Sequence, residues 1–113
     1  MIGIDTVETA RIARAAERRH FLERVFTEGE RAYYEKSGRA ETLAGIWCVK
    51  EAVAKALGTG IAFALTDIET VHDENGKPEA RLHGKAAQLL RGRQVDISIT
   101  HTRTAATAIA IIS

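Results

Sequence analysis

Two acidic side chains stand in contexts that suit a metal ion bound to a phosphate. Asp5 follows the short apolar run Gly3-Ile4, and Glu51 lies within a helix-forming segment, one turn before Lys55. Magnesium prefers oxygen ligands, and proteins commonly hold it with one or two carboxylates together with substrate phosphates and water. A carboxylate at a strand end and another on a helix beside a lysine therefore predict Mg²⁺-dependent chemistry on a diphosphate.

Each of these residues also has a purely structural interpretation. A strand-end Asp5 can cap the helix that follows it, and Glu51 with Lys55 forms an i, i+4 pair that would support any exposed helix. Trp47, Glu51 and Lys55 are spaced four apart, so they lie along one helix face. A face that carries a tryptophan, an acid and a base is not purely solvated, and this favours the functional interpretation.

Other residues near the second acid suit the binding of a phosphate. Gly58-Thr59-Gly60 follows the helix, and glycines let backbone amides approach a phosphate closely, although helix termination alone explains Gly58. Either Lys50 or Lys55 can neutralise a phosphate oxygen. His101 ends an alternating strand, where histidine is more often structural, yet its ordinary pKa near ~6.5 makes it available as a phosphate donor or proton carrier.

The first predicted helix carries a basic cluster. Arg11, Arg14 and Arg18 are spaced three and four apart and so share one side of a helix. Charge on a helix is usually a solvated face. Phe21 projects to nearly the same side of a straight helix, however, and basic residues interleaved with apolar ones suit a docking surface for an acidic protein helix. A bend near residues 19–20 would weaken this interpretation.

Local patterns distribute these residues over a mixture of strands and helices. Thr27-Glu28-Gly29-Glu30 has capping-box spacing, Gly38 and Gly58 can end helices, and Asn75-Gly76 favours a turn. Strand and helix do not alternate regularly, which predicts an α+β fold. The predicted elements are a strand at 1–7, helices at 8–26, at about 28–38 and at 40–57, strands at 67–72 and 79–82, the latter preceded by Pro78, a helix at 83–90, and a hairpin of strands at 95–100 and 105–112.

Composition describes an ordinary globular chain. Hydrophobic residues make up 45% and charged residues 27% of the 113 residues, and the formal net charge is +1. This balance predicts one domain over residues 1–113 and argues against a general nucleic-acid binder, which usually carries a strong basic excess.

With one cysteine, no signal-peptide pattern and no apolar run of ~20 residues, the expected location is the cytoplasm and not a membrane. Cys48 is expected to pack inside a helix face, and His20, His72 and His83 to be surface residues.

Several motifs taken together resemble the holo-acyl-carrier-protein synthases, which are the small 4′-phosphopantetheinyl transferases. Each motif is moderately specific, whereas their order and spacing over nearly the whole chain are highly specific. The motifs are Gly3-Ile4-Asp5 with Val7-Glu8, Phe21–Glu30, Leu43-Ala44-Gly45, Lys50-Glu51-Ala52, Lys55–Ile61, Asp67-Ile68-Glu69, Asn75–Pro78 and Ser98–Thr102.

The resemblance implies both a fold and a reaction. The fold is a small antiparallel sheet with a long central helix, assembled as a homotrimer that binds coenzyme A between neighbouring subunits. The reaction transfers 4′-phosphopantetheine from coenzyme A to a serine of apo acyl carrier protein and releases 3′,5′-adenosine diphosphate. Mg²⁺ is the implied cofactor.

The family roles carry over to matching positions of this sequence. Asp5 and Glu51 match the metal-binding acids, Glu51 is also the expected general base, and Lys55 matches the lysine that contacts the diphosphate and helps the leaving group. The matches to the coenzyme A pocket are Gly58, Thr59, Gly60, Lys77 and Pro78, and those to a phosphate-contacting pair are His101 and Thr102. The matches to the surface that receives the carrier protein are Arg11, Arg14, Arg18 and Phe21.

One position departs from the family pattern. Many relatives carry an arginine, able to meet a coenzyme A phosphate, where this chain has Ile46, and Arg39 or Arg103 could compensate. The N-terminal strand is also shorter than in many relatives, so the order of the strands at a trimer axis can differ from theirs. Two alternatives stay open: a non-catalytic trimer that binds coenzyme A or a carrier protein, and a different Mg²⁺-dependent phosphoryl enzyme.

Overall fold

A long helix and a three-stranded sheet organise the structure. The computed structural model describes all 113 residues. In chain order the elements are β1 (Ile2–Glu8), α1 (Thr9–Ala15), α2 (Arg19–Val25), α3 (Glu28–Ser37), α4 (Ala40–Leu57), a 3-10 turn (Leu65–Asp67), β2 (Ile68–His72), β3 (Pro78–Leu82), α5 (Gly84–Leu90), β4 (Val95–His101) and β5 (Ala105–Ile112). None of the helices combines the length and the apolar character needed to cross a membrane.

The first and last strands of the chain pair with each other. β1 lies antiparallel to β5, with Asp5 opposite Ala108, and β5 lies antiparallel to β4, so the sheet order is β1-β5-β4. β2 and β3 form a separate antiparallel pair. The α+β prediction is therefore confirmed, as is the predicted hairpin of β4 and β5.

The core lies between α4 and the inner face of the three-stranded sheet. Alternate residues of β5, from Ala106 to Ile112, are buried, as the two-residue period of a strand requires. All but the last of these are alanines, so the sheet can lie close to the helix. Eleven of the 18 residues of α4 are buried, which makes this helix the element against which the functional side chains are positioned.

Local signals set the ends of α3 and α4. The backbone N–H of Glu30 donates to Thr27 Oγ1 at 3.1 Å, and the backbone N–H of Thr27 donates to Glu30 Oε1 at 2.9 Å, which is the predicted capping box. Gly38 and Gly58 follow the two helices with φ values of 66° and 76°. Glycine adopts this left-handed conformation readily, so the predicted helix ends are confirmed.

The single helix predicted over residues 8–26 is wrong. The chain forms α1 and α2 there, and Arg18 between them has an extended backbone (φ −97°, ψ 119°). At about 100° per residue, Ile12 and Phe21 would lie on opposite sides of a straight helix, yet both pack on the core. The break lets both side chains turn inward, so burial overrides the helix propensity of the segment.

Candidate active site

A close contact between β1 and α4 carries the two predicted acids. Gly3 permits this contact, because a Cβ atom at its position would lie only 2.0 Å from the backbone oxygen of Ala52. Asp5 is two residues further along β1, so the period of the strand directs it to the same face as Gly3. Its side chain is 17% exposed. The missing side chain of Gly3 thus lets a strand-borne carboxylate approach the middle of α4.

Lys55 links β1 to α4 directly. Its Nζ donates to Asp5 Oδ1 at 3.2 Å and to the backbone oxygen of Ile4 at 2.9 Å. The Lys55 side chain is 56% exposed, so water screens this ion pair and its contribution to stability is small. The ammonium group is therefore accessible to an anionic ligand as well as to Asp5.

Glu51 is electrostatically coupled to Asp5. Partial burial raises the pKa of Glu51 above its ordinary value, and the charge of Asp5 raises it further, while Lys55 and Arg11 act in the opposite direction. Two like charges near each other in a half-buried place favour a bound cation.

The donor set suits a hard divalent cation. Proteins usually hold Mg²⁺ with one or two carboxylates, and the ion keeps several waters or binds substrate phosphates. Asp5 and Glu51 offer two such carboxylates, and the chain contains no cluster of three or more potential metal-ligand side chains that could enclose an ion by itself. The residues present therefore fit an ion that is shared with a phosphate ligand.

Cys48 lies near the acidic pair but is not a nucleophile. Its Sγ donates to the backbone oxygen of Ala106 at 3.4 Å inside the core. Burial raises the pKa of Cys48 to about 12, and the nearby charge of Asp5 adds to this effect. At neutral pH the residue is a thiol that fills space, and the predicted packing of Cys48 in the helix is confirmed.

Lys50 is not available to a phosphate, so only one of the two predicted alternatives, Lys50 or Lys55, is left for this role. Its side chain is fully buried, and its Nζ donates to Glu30 Oε1 at 2.8 Å and to the backbone oxygen of Leu65 at 3.0 Å. Consecutive helical residues point about 100° apart, so Lys50 and Glu51 meet different surroundings. Of the two lysines considered for this role, only Lys55 remains.

A second group of predicted residues lines a cleft near the beginning of α4. Its walls include Pro78 at the start of β3 and His101 at the end of β4. Ile46, at the position of the missing arginine, lines the same cleft, and so does Arg39 at the N-cap of α4. The cleft therefore brings the guanidinium of Arg39 and the imidazole of His101 to the edge of the β2–β3 hairpin, together with the carboxylate of Glu41.

An aromatic wall of this cleft was missed in the sequence. Tyr33 on α3 and His72 at the end of β2 stack with ring centroids 3.9 Å apart and an interplanar angle of 1°, and both line the cleft. His72 is half-buried at the wall of the cleft, and burial lowers the pKa of His72 against an opposing effect of Asp73. His20 and His83 are exposed as predicted. No local pattern could link Tyr33 with His72, because the two residues meet only when α3 packs on β2.

The glycine loop, Gly58-Thr59-Gly60, lies toward the other end of α4. All three residues are exposed, and none of them lines the cleft. Ile46, which does line the cleft, precedes Gly58 by about 18 Å of helix at 1.5 Å per residue. One chain therefore does not join the glycine loop and the cleft into a single pocket.

The last two predicted contacts to coenzyme A lie in turns. Lys77 is exposed beside Pro78, and its backbone N–H donates to Asp73 Oδ1 at 2.9 Å. Thr102 Oγ1 accepts hydrogen bonds from the backbone N–H groups of Thr104 and Ala105, each at 3.2 Å. Thr102 thereby stabilises the turn that follows His101, and its contact with a phosphate stays a prediction.

A third group of predicted residues lies on α1 and α2. Arg11, Arg14, Arg18 and Phe21 line one hollow, so the break between the two helices does not separate them. The ring of Phe21 packs on Trp47 of α4 with centroids 6.0 Å apart. The hollow is thus a basic surface with an apolar floor, and it is tied to the helix that carries Glu51.

Comparison with known proteins finds one family over nearly the whole chain. Residues 1–110 match the model of the 4′-phosphopantetheinyl transferase superfamily. A curated relative, the holo-[acyl-carrier-protein] synthase of Fusobacterium nucleatum subsp. nucleatum, is 43% identical over 117 aligned residues, which cover 98% of this chain and 96% of the relative.

Solved structures share the fold described above. The holo-[acyl-carrier-protein] synthase of Helicobacter pylori in complex with coenzyme A matches with a TM-score of 0.90 at 30% identity, with complete coverage of both chains. The Bacillus anthracis enzyme in complex with CoA (3′,5′-ADP) matches with a TM-score of 0.83 at 34% identity, covering 98% of this chain and 93% of the other. The chain fold expected from the motifs, a small antiparallel sheet with a long central helix, is therefore confirmed, and the homotrimer stays a prediction.

Proposed function

The chain belongs to the 4′-phosphopantetheinyl transferase superfamily, among the holo-[acyl-carrier-protein] synthases, and from this premise we propose its reaction. One domain, residues 1–113, transfers the 4′-phosphopantetheine of coenzyme A to a serine of apo acyl carrier protein in the cytoplasm and releases 3′,5′-adenosine diphosphate. The observation that carries this proposal is the cluster of Asp5, Glu51 and Lys55 at the contact of β1 with α4.

Asp5 and Glu51 are the residues that would hold Mg²⁺. When bound, the ion offsets negative charge on the diphosphate of coenzyme A. The coupled charges of the two carboxylates support this assignment, and so does the accessible ammonium of Lys55 beside them. A diphosphate bound here would contact the ammonium group of Lys55 on α4 in addition to the metal ion.

The reaction is a displacement at phosphorus, which depends mostly on positioning and electrostatics. It therefore needs few further groups of the chain. The carrier serine oxygen bonds to the phosphorus that bears pantetheine, and the bond from that phosphorus to 3′,5′-adenosine diphosphate breaks. Lys55 neutralises the charge that develops on the 5′-phosphate oxygen of the leaving 3′,5′-adenosine diphosphate. Glu51 takes the proton of the serine hydroxyl.

Mass spectrometry of an apo acyl carrier protein tests this function. Incubation with this protein, coenzyme A and Mg²⁺ should add one phosphopantetheine to the carrier, and chelation of the ion should prevent the addition. Binding of coenzyme A without transfer would instead support the non-catalytic trimer. Isothermal titration in which ATP binds and coenzyme A does not would favour a different phosphoryl enzyme.

We further propose a homotrimer that binds coenzyme A between subunits. The outer face of the three-stranded sheet supports this, since Ile2, Ile4 and Ile111 are 65%, 57% and 45% exposed and Ile2 pairs with Ile111 across the strands. Contiguous exposed apolar surface of this kind marks an interaction site. Within one chain the cleft and the glycine loop lie apart, whereas in a trimer the cleft of a neighbouring subunit can lie beside the glycine loop.

Sedimentation tests this assembly. A mass three times the chain mass of 12.3 kDa would agree with the trimer, and a fully active monomer would exclude it.

Arg39 is the replacement that we propose for the arginine missing at Ile46. Arg39 lines the cleft with Ile46 and His101, whereas Arg103 lines a different hollow. Arg39→Ala should raise the KM for coenzyme A by about tenfold, because a charge-assisted hydrogen bond to the 3′-phosphate is lost. The KM for 3′-dephospho-coenzyme A should change little. Arg103→Ala is the matched control, and a selective effect there and not at Arg39 would reverse the assignment.

The hollow of α1 and α2 is the proposed docking surface for the acidic carrier protein. Joint replacement of Arg14 and Arg18 by Ala should raise the KM for apo carrier by about tenfold at low salt, with kcat nearly unchanged. The effect should shrink as ionic strength rises, because salt screens exposed charges. Arg24→Ala, an exposed arginine of α2 outside the hollow, is the control. A carrier KM that does not depend on salt would count against this surface.

A further inference from the structure

Lys50 is a buried cation that the proposed reaction does not use. Its side chain is 0% exposed, and its Nζ donates to Glu30 Oε1 at 2.8 Å, to the backbone oxygen of Leu65 at 3.0 Å and to the backbone oxygen of Ile68. An ammonium group has three N–H donors, so all of them are engaged. The Lys50 side chain therefore has one defined position between α3, α4 and the start of β2.

Glu30 completes this network from α3. Its Oε1 also accepts from the backbone N–H of Thr27 at 2.9 Å, and its Oε2 accepts from the backbone N–H of Thr70 at 2.8 Å. Both charges are thus paired and hydrogen-bonded, which is the condition under which buried ions are tolerated. A buried ion pair adds little net stability compared with apolar residues of the same size, so stability alone does not account for this one.

The two carbonyl groups that Lys50 binds lie where the segment 58–67 joins β2, Leu65 in the segment and Ile68 at the start of the strand. This segment leaves α4, carries the glycine loop and enters β2 through the 3-10 turn. The hydrogen bonds within residues 59–64 are local, from Thr59 Oγ1 and from the backbone N–H of Ala62, both to the backbone oxygen of Gly60. Ile61 is 46% exposed, and only Phe63 and Leu65 pack on the core.

Few contacts therefore hold the end of this segment that joins β2. Apart from the packing of Phe63 and Leu65, they are the bonds from Lys50, one backbone bond from His83 N–H to Asp67 O at 2.7 Å, and the local backbone bonds of the 3-10 turn, from Asp67 N–H to Ala64 O at 2.9 Å and from Ile68 N–H to Leu65 O. Removal of the Lys50 ammonium would leave the carbonyl groups of Leu65 and Ile68 without this donor and would loosen the path of the segment.

We propose that Lys50 is a positioning residue that sets the path of the segment 58–67 from inside the core and so places the glycine loop for coenzyme A. The inference rests on the proposed function in one respect, the role of the glycine loop in binding coenzyme A. Two consecutive residues of α4 then have separate tasks. Glu51 faces the reacting groups, and Lys50 holds the loop that binds the substrate.

Two variants remove the ammonium group while nearly preserving side-chain volume. Lys50→Met leaves the carboxylate of Glu30 buried without its cation, which can prevent folding. The double variant with Glu30→Gln and Lys50→Met carries neither charge and still frees the carbonyl groups of Leu65 and Ile68. Leu43→Ala, at a fully buried core position of the same helix, is the control for lost stability alone.

Hydrogen–deuterium exchange and steady-state kinetics test the proposal. In the double variant, amide exchange over residues 58–67 should rise by about tenfold or more relative to residues 44–54 of α4. The KM for coenzyme A should rise at least about fivefold, with kcat and the carrier KM within about twofold of the wild type. Leu43→Ala should instead accelerate exchange broadly and leave the KM for coenzyme A unchanged. Lys50→Met, where it folds, should behave as the double variant does.

The proposal is overturned if exchange over residues 58–67 is no faster in the double variant than in Leu43→Ala, or if the KM for coenzyme A stays at its wild-type value. Exchange is measured without substrate, so it tests the anchoring separately from catalysis. A wild-type protein that fails to modify the carrier would count against the proposed function, and the exchange comparison would still decide whether Lys50 holds the segment.

Discussion

Glu51→Gln is expected to lower the kcat for carrier modification by about a thousandfold or more. The amide keeps the shape of the side chain but lacks the charge that would hold Mg²⁺ and cannot serve as the proposed base for the serine proton. Asp5→Asn should give a loss of similar size, since it removes the second carboxylate and the partner of Lys55. Mass spectrometry of the carrier over time measures both rates.

The effect of Glu51→Gln on stability has a definite sign. The pKa of Glu51 is raised in the folded protein, first by burial and then by the charge of Asp5. A carboxyl whose folded pKa exceeds its unfolded value costs stability as the pH rises through the interval between the two values. Without magnesium at about pH 7 the Gln variant should therefore melt at the same temperature as the wild type or higher, and the difference should vanish at a pH below both pKa values.

Glu35→Gln is the matched control for these variants. Glu35 is an exposed helical glutamate on α3, and its replacement should leave kcat within about twofold of the wild type. Wild-type turnover in both Glu51→Gln and Asp5→Asn would exclude the proposed metal site. A large fall in the melting temperature of Glu51→Gln would show instead that the carboxylate stabilises the fold.

Gly3→Ala is expected to destabilise the protein by at least about 3 kcal/mol, toward the upper end of what overpacked side chains cost. The new Cβ would lie 2.0 Å from the backbone oxygen of Ala52 and 2.7 Å from the backbone nitrogen of Ala56. Both atoms belong to the hydrogen-bonded backbone of α4, so no side-chain rotation relieves the overlap. β1 must move away from the helix, which also displaces Asp5 from Glu51. Urea denaturation measures the loss of stability, and the transfer assay measures the consequence for activity.

Gly29→Ala is the control for Gly3→Ala. Its Cβ would lie 3.9 Å from Thr27 Oγ1 and 3.1 Å from Oε2 of Glu69. The Glu69 carboxylate is the end of a flexible side chain, so a shift of a few tenths of an ångström relieves this contact while the hydrogen bond from Thr27 Oγ1 is kept. We expect a change in unfolding free energy of less than about 1 kcal/mol, because Ala is also a better helix former than Gly. A Gly3→Ala variant as stable and as active as Gly29→Ala would contradict the described contact between β1 and α4.

Elements with strong short-range signals were predictable from the sequence. α4 begins at Ala40 and ends at Leu57 as expected, because a run of good helix formers closes at a glycine. The alternation of apolar residues predicted β4 and β5 as a hairpin, which the pairing confirms. The 3.6-residue repeat of a helix predicted that Glu51 and Lys55 share one helix face, and the two-residue repeat of a strand placed Asp5 on the first strand.

Features that depend on distant segments were not predictable. The helix expected over residues 8–26 breaks because Ile12 and Phe21 both pack on the core, and the core is formed mainly by other elements. Lys50 and Lys55 look alike in the sequence, yet Lys50 is enclosed by Glu30 from α3 and by the carbonyl groups before and at the start of β2. The stacking of Tyr33 on His72 has the same origin in packing between remote elements.

The order of the strands, the ends of α3 and α4 and the acidic residues of the candidate site could be read from local patterns, since periodicity and capping involve neighbours within about four positions. The pairing of β1 with β5, the fate of each lysine and the separation of the cleft from the glycine loop came from tertiary packing. These depend on which surfaces meet when the chain buries its apolar side chains, and many residues spread along the chain contribute to that choice together.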